Sequence, residues 1–222
     1  TLFRSNSTVA FVGKSGSGKT TIIDLISLIR EPSFGAVFID REASYKINHQ
    51  AWCRKLGCVT QDSAIFNGTL AWNITLSESY GQPDENEKKK ILNALEQAGL
   101  RAFVETLEDG IEYNLEERGA NLSGGQKQRI LIARELYREP EILILDEATS
   151  GLDKEASATI LNTLRSLAGE LTIIIVAHNL SLLADCDKIF VINEGTVAEE
   201  GTYQELSRNR LSLFSGLRRS KL

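Results

Sequence analysis

The chain has 222 residues, 42% apolar and 25% charged, with a net charge of −5. That is the composition of a globular α/β protein, and the acidic balance gives no electrostatic reason to expect nucleic acid. No apolar run approaches the roughly 18 residues of a membrane span, and three cysteines (Cys53, Cys58, Cys186) without a C-x-x-C pair suggest neither a metal site nor a disulfide framework.

In chain order, Thr8-Val9-Ala10-Phe11-Val12 predicts a short buried strand. It runs into Gly13-Lys14-Ser15-Gly16-Ser17-Gly18-Lys19-Thr20, which fits the phosphate-binding pattern G-x-x-x-x-G-K-[ST]. Residues 21–29 predict the helix that this pattern requires next, and Thr21 is counted with the phosphate-binding set. Glycines let the loop wrap a pyrophosphate with its N–H groups inward, and the helix N-terminus adds positive potential there. Lys19 would reach the β- and γ-phosphates of a nucleoside triphosphate, and the Thr20 hydroxyl would hold Mg²⁺. The chain starts at Thr1 and contains no Met, which predicts a piece of a longer polypeptide.

Residues 31–35 form a predicted turn, and 36–40 and 58–60 predicted strands, the latter ending at Gln61. From about Ser63 the pattern turns helical. Asp84 can cap a helix whose apolar positions Ile91, Leu92, Leu95 and Ala98 recur at helical spacing, with Gly99 as its stop. Further helices are predicted over 102–107 and 123–138. The sheet resumes with Ile142-Leu143-Ile144-Leu145-Asp146, then a helix over 154–168, a strand over 171–176, a short helix from Leu180, a strand over 188–192 and a hairpin arm over 195–199. Strands alternating with helices predict an α/β fold with a mostly parallel sheet. The expected division is a core of residues 1–63 and 139–222 with an inserted helical subdomain of residues 64–138. In such sheets ligands lie beyond the carboxyl ends of strands, which is where the glycine loop, Gln61, Asp146 and His178 fall. The tail from Tyr203 carries Arg208, Arg210, Arg218, Arg219 and Lys221, which suits a solvated terminal helix better than a lipid contact.

Two further clusters carry chemistry. An acid ending an apolar strand can hold Mg²⁺, which assigns Asp146 as a metal ligand. Glu147, one residue on, is placed to orient or deprotonate a water attacking the γ-phosphate. Leu122-Ser123-Gly124-Gly125-Gln126 opens a helix with a hydroxyl, free N–H groups and a positive dipole end, so it reads as a second phosphate site. One nucleotide does not need two such sites in one chain; a dimer would use both.

The phosphate loop, Gln61, residues 122–126, residues 142–147, Ser150-Gly151-Leu152-Asp153 and His178 stand in the order and spacing of the nucleotide-binding domain of ATP-binding cassette (ABC) transporters, and the chain resembles that domain over nearly its whole length. The resemblance implies ATP and Mg²⁺ as ligands. It makes Gln61 the glutamine that senses Mg²⁺ and water, so both a catalytic and a metal-site residue, and His178 the switch histidine at the γ-phosphate. It places Asp153 in the loop that crosses the dimer interface, and Ser123, Gly124, Gly125 and Gln126 on the ATP of a second nucleotide-binding domain. Glu117-Arg118-Gly119-Ala120-Asn121 and residues 66–74 resemble segments of the exporter type. Exporter relatives usually carry Gly where Glu116 stands, Pro where Thr60 stands and Arg where Asn179 stands. The resemblance further implies transmembrane domains on the same full chain and a place at the cytoplasmic face of a membrane. It also leads one to expect an adenine-stacking aromatic upstream of Gly13, and neither Phe3 nor Phe11 has that offset. The alternatives are a soluble ABC ATPase acting on nucleic acid or the ribosome, and the separate ATPase subunit of an importer.

Overall fold

The computed structural model describes residues 3–60, 62–77, 83–148, 152–177, 180–209 and 211–219. In chain order it contains β1 (Thr8–Val12), α1 (Lys19–Ile26), β2 (Phe38–Ile39), β3 (Glu42–Ala43), α2 (His49–Lys55), β4 (Leu56–Val59), β5 (Gly68–Thr69), α3 (Leu70–Thr75), α4 (Glu85–Gln97), α5 (Arg101–Glu105), β6 (Asn114–Leu115) and α6 (Gly124–Leu136). There follow β7 (Ile142–Asp146), α7 (Lys154–Leu167), β8 (Thr172–Val176), β9 (Lys188–Asn193), β10 (Thr196–Gly201), α8 (Tyr203–Arg208) and α9 (Leu213–Arg219).

A six-stranded sheet has the order β10-β9-β1-β8-β7-β4. β1 lies parallel to both β8 and β9, and β7 lies parallel to β8. β10 is antiparallel, folding back on β9 through a bulge between Val197 and Glu199. The fold is therefore α/β with a mostly parallel sheet flanked by helices. β1 and β8 are buried at every residue, as strands covered on both faces must be. Val9, Phe11, Ile23, Ile144, Ile174, Val176, Phe190 and Ile192 form one cluster on the sheet, with Phe11 and Phe190 stacked at 5.3 Å.

Some predicted elements change. The strand expected over 36–40 shrinks to the two residues of β2, which pair only with β3 in a separate hairpin. The polar stretch around His49 contains α2, capped by Asn48 and anchored where Trp52 Nε1 donates to the Ile26 carbonyl at 2.9 Å. The helix after the glycine loop ends at Ile26, and Leu28 takes φ 57°.

Two compact units divide the chain: Thr1–Cys58 with Pro140–Glu147 and Ala168–Leu222, and Val59–Glu139 with Ala148–Leu167. The second differs from the expected helical subdomain by gaining α7. The physical reason is packing, since α7 lies against α6 and α4. Inside the second unit a buried cation fixes the segment that follows Val59. Arg134 of α6 donates from Nε to the Asn73 carbonyl at 2.7 Å and from Nη1 to the Ala64 carbonyl at 2.9 Å. The Asn73 side chain, 0% exposed, accepts from Phe66 N–H and from Arg134 and donates to the Phe66 and Thr69 carbonyls. Phe66 also lies under the Arg134 guanidinium at 5.4 Å.

Removing one member of such a network strands the others in a dry interior. Asn73→Ala should cost about 2–4 kcal/mol and lower the melting temperature by about 5–10 °C; a shift below about 1 °C in calorimetry would deny the network its structural role. A second expectation concerns Cys186, whose buried thiol, with Asp185 and Asp187 near, is pushed up to about 12. An unfolded thiol ionises near pH 8.5. The folded state's preference for the protonated thiol is thus complete below that pH and lost as pH rises toward 12. Stability measured by denaturant titration across the alkaline range should fall more steeply in the parent than in Cys186→Ala.

Candidate functional site

The glycine loop lies in the first unit. Gly13 must be glycine: a Cβ there would overlap the Ile192 carbonyl oxygen of β9 and stand 2.6 Å from Ser17 Oγ. Gly16 and Gly18 take φ 76° and 105°, backbone that side chains resist. The loop is clamped from behind, where Gly195 N–H donates to the Ser17 carbonyl at 3.0 Å. Its mouth is open: a Cβ on Gly16 would meet nothing within 4 Å, and Lys14, Ser15, Gly16, Thr20 and Thr21 are exposed. α1 follows Gly18 at its capping position with no side-chain cap, so its first N–H groups remain for an external anion.

Lys19 is the buried member of the loop, 6% exposed. Its ammonium donates to the Gly13 and Lys14 carbonyls at 3.1 and 3.0 Å. Burial pulls its pKa below the usual lysine value, while the Glu147 and Asp146 carboxylates oppose that shift. The structure therefore brings together three predicted groups distant in sequence: the amine of Lys19 and the two acids at the end of β7. Glu147 takes φ 54°, unusual for a residue with a side chain, and its N–H donates to the Val176 carbonyl at 3.0 Å, tying the turn after β7 to the end of β8. A glycine loop with an open mouth, an uncapped helix start, a buried ammonium and two acids fit a triphosphate with its magnesium ion. Ser17 Oγ, buried without a partner, adds an unused polar atom to the cradle. Gln61 and His178 lie outside the described residues.

The remaining predicted site residues lie in the second unit. Ser123 is exposed and caps α6 in a reciprocal box. Its Oγ accepts from Gln126 N–H at 3.2 Å, and Gln126 Oε1 accepts from Ser123 N–H at 2.8 Å. Gln126, predicted as a nucleotide contact, is thus engaged with its own turn, and the Ser123 hydroxyl keeps its proton to donate. Gly124 is exposed but Gly125 is buried. Asp153 caps α7, its Oδ1 accepting from Ala156 N–H at 2.7 Å. The stretch over 117–121 is a tight turn in which Arg118 has φ 53° and donates its N–H to the Ile65 carbonyl.

Several supporting residues were not singled out by motif. Arg134 and Asn73 hold the segment around Phe66 to α6, and Arg129 bridges the Gly125 and Gly99 carbonyls at 3.2 and 2.6 Å. The sequence signal of Arg134 is a cation after an otherwise apolar helix run, Ile130-Leu131-Ile132-Ala133-Arg134, and Asn73 lies in the 66–74 segment without a role read for it. Ile192 and Gly195, which back the loop, leave no signal at all.

Comparison with known proteins identifies the family. The family described as ABC transporter matches residues 2–150. The chain is 40% identical over 213 residues, 95% of its length, to an ATP-dependent lipid A-core flippase of Ralstonia nicotianae, covering 35% of that protein. It is 40% identical over 204 residues, 92% of its length, to an ATM1-type heavy metal exporter of Novosphingobium aromaticivorans, covering 33% of it. A solved structure of a bacterial Atm1-family ABC exporter with ATP bound superposes with a TM-score of 0.84 at 38% identity, covering 98% of this chain and 37% of that one. The chain thus spans about a third of the length of the relatives it matches. With the phosphate loop, the paired acids and the Ser123 turn in place, the chain belongs to the ABC transporter family and is an ATP-hydrolysing nucleotide-binding domain of the exporter type.

Proposed function

We propose that two copies of this domain close head to tail over two ATP molecules, each held by one copy's Gly13–Thr21 loop and covered by the other's Ser123–Gln126 turn, and that hydrolysis reopens the pair to drive export of a substrate across a membrane. The observation that carries this reading is the contrast between two helix starts. α1 begins uncapped above an open loop, whereas α6 begins at an exposed serine whose hydroxyl proton is unspent. The first suits the phosphates of a resident nucleotide; the second suits one more hydrogen bond, to a phosphate from outside.

In this reading Lys19 exchanges two neutral carbonyls for charged phosphate oxygens, a stronger partnership. Thr20, Asp146 and Gln61 would hold Mg²⁺, which when bound neutralises phosphate charge. Glu147 orients and deprotonates the attacking water, and His178 donates to the γ-phosphate. Asp153 lies on the face that meets the second copy. Phosphoryl transfer of this kind depends on positioning and charge neutralisation, so an incomplete γ-phosphate cage is slow and the closed pair is fast. Two of the relatives are called ATP-binding and permease proteins. By that analogy the transmembrane domains belong to the same full chain, this domain works at the cytoplasmic face of the membrane, and the segments over 66–74 and 117–121 face those domains.

Glu147→Gln should retain ATP binding, lower turnover by about two orders of magnitude or more and accumulate an ATP-bound dimer in size-exclusion chromatography. Parental turnover in that variant would remove Glu147 from its role. Lys19→Met should weaken binding of a fluorescent ATP analogue about tenfold to a hundredfold, and unchanged affinity would mean that the loop does not hold the phosphates.

A further inference from the structure

The turn that opens α6 is held on two sides within its own unit. Gly125 is buried although Ser123 and Gly124 beside it are exposed. What buries it is α7: a Cβ on Gly125 would stand 2.8 Å from the Ala156 Cβ and 3.4 Å from the Ala156 Cα. A Cβ on Gly124 would stand 2.9 Å from Leu152 Cδ2. The Leu152 methyl can turn aside, but the Ala156 Cβ is fixed to its helix, so at Gly125 one helix would have to move.

Movement of α6 away from α7 is opposed. Arg129 joins the Gly125 carbonyl to the Gly99 carbonyl at the end of α4. Thr163 of α7 donates to the Ala98 carbonyl at 3.3 Å. α4, α6 and α7 thus close a triangle with no slack at the Gly125 corner. The contact also joins two motifs, because Ala156 is the residue whose N–H is held by Asp153.

We infer that Ala156 is a positioning residue for Ser123: the depth to which Ala156 seats on Gly125 sets where the first turn of α6 presents the serine hydroxyl, and that contact, rather than the approach of a phosphate, is what requires glycine at 125. The inference rests on the proposed role of Ser123 at the partner copy's ATP.

The test is a rescue. Gly125→Ala, Ala156→Gly, the double variant and Ser123→Ala are compared with the parent protein in turnover at saturating ATP, affinity of each variant's own phosphate loop for a fluorescent ATP analogue, and thermal unfolding. Gly125→Ala should lose about a hundredfold in kcat, the scale of a misplacement near 1 Å, with analogue affinity within about twofold of the parent. Adding Ala156→Gly should restore kcat to within about threefold, because the two changes act through one contact. A double variant that melts like the parent yet stays as slow as Gly125→Ala overturns the inference and leaves the proposed function standing. Parental turnover in Ser123→Ala overturns the reading on which it rests. If Gly125→Ala does not fold, Ala156→Val and Ala156→Leu approach the same contact from the other side. Turnover should then fall with added volume at constant analogue affinity, and equal turnover in both and the parent overturns the inference.

Discussion

A buried ammonium group is tolerable only with partners, and the first unit is arranged around that of Lys19. Its partners are the two loop carbonyls that it bonds and the Asp146 and Glu147 carboxylates that favour its charge. The parallel order β9-β1-β8-β7 makes this possible. β1 delivers the loop and β7 delivers the acids at carboxyl ends that point the same way. β9 supplies the wall: the Ile192 carbonyl leaves no room for a side chain at 13, and the turn at Gly195 bonds the loop from behind. Burial that weakens the lysine's hold on its proton also raises the gain from meeting a phosphate, because charges interact more strongly away from water.

The second unit solves the same problem with Arg134. A guanidinium on a residue 7% exposed is held by two carbonyls and an asparagine, and burial lowers its pKa. The result is a rigid tie between the segment after Val59 and the helix that opens at Ser123. Glycines then let that helix sit flush on α7. Cations held by carbonyls and glycines pressed by neighbours are the two devices that fix the phosphate loop in the first unit and the Ser123 turn in the second.

The motif residues were legible because each follows a local rule. Strand, glycine loop and helix announce the phosphate site; an apolar strand ending in Asp146-Glu147 announces the acids; Asp84 announces α4 by its cap, which it makes through Asn86 and Glu87 N–H. α2 was not legible, because it buries one residue, Trp52, and its start signal is a single Asn48. The pairing of β2 was not legible either: two residues carry no period. Gly125 is the instructive case. Its place in a helix-opening turn could be read from five letters, but its burial under Ala156 depends on a helix that begins only at Lys154.

The sequence by itself determined the ligand chemistry, the element types and the order in which the motifs occur, because loops, caps and strand ends are written in neighbouring residues. Only the tertiary structure decided which positions lack room for a side chain, which cations are buried and that α7 belongs with α4 and α6. Those properties arise from contacts between segments far apart in the chain, such as Gly13 with Ile192 and Arg134 with Asn73. No local pattern of residue types encodes a distance of closest approach.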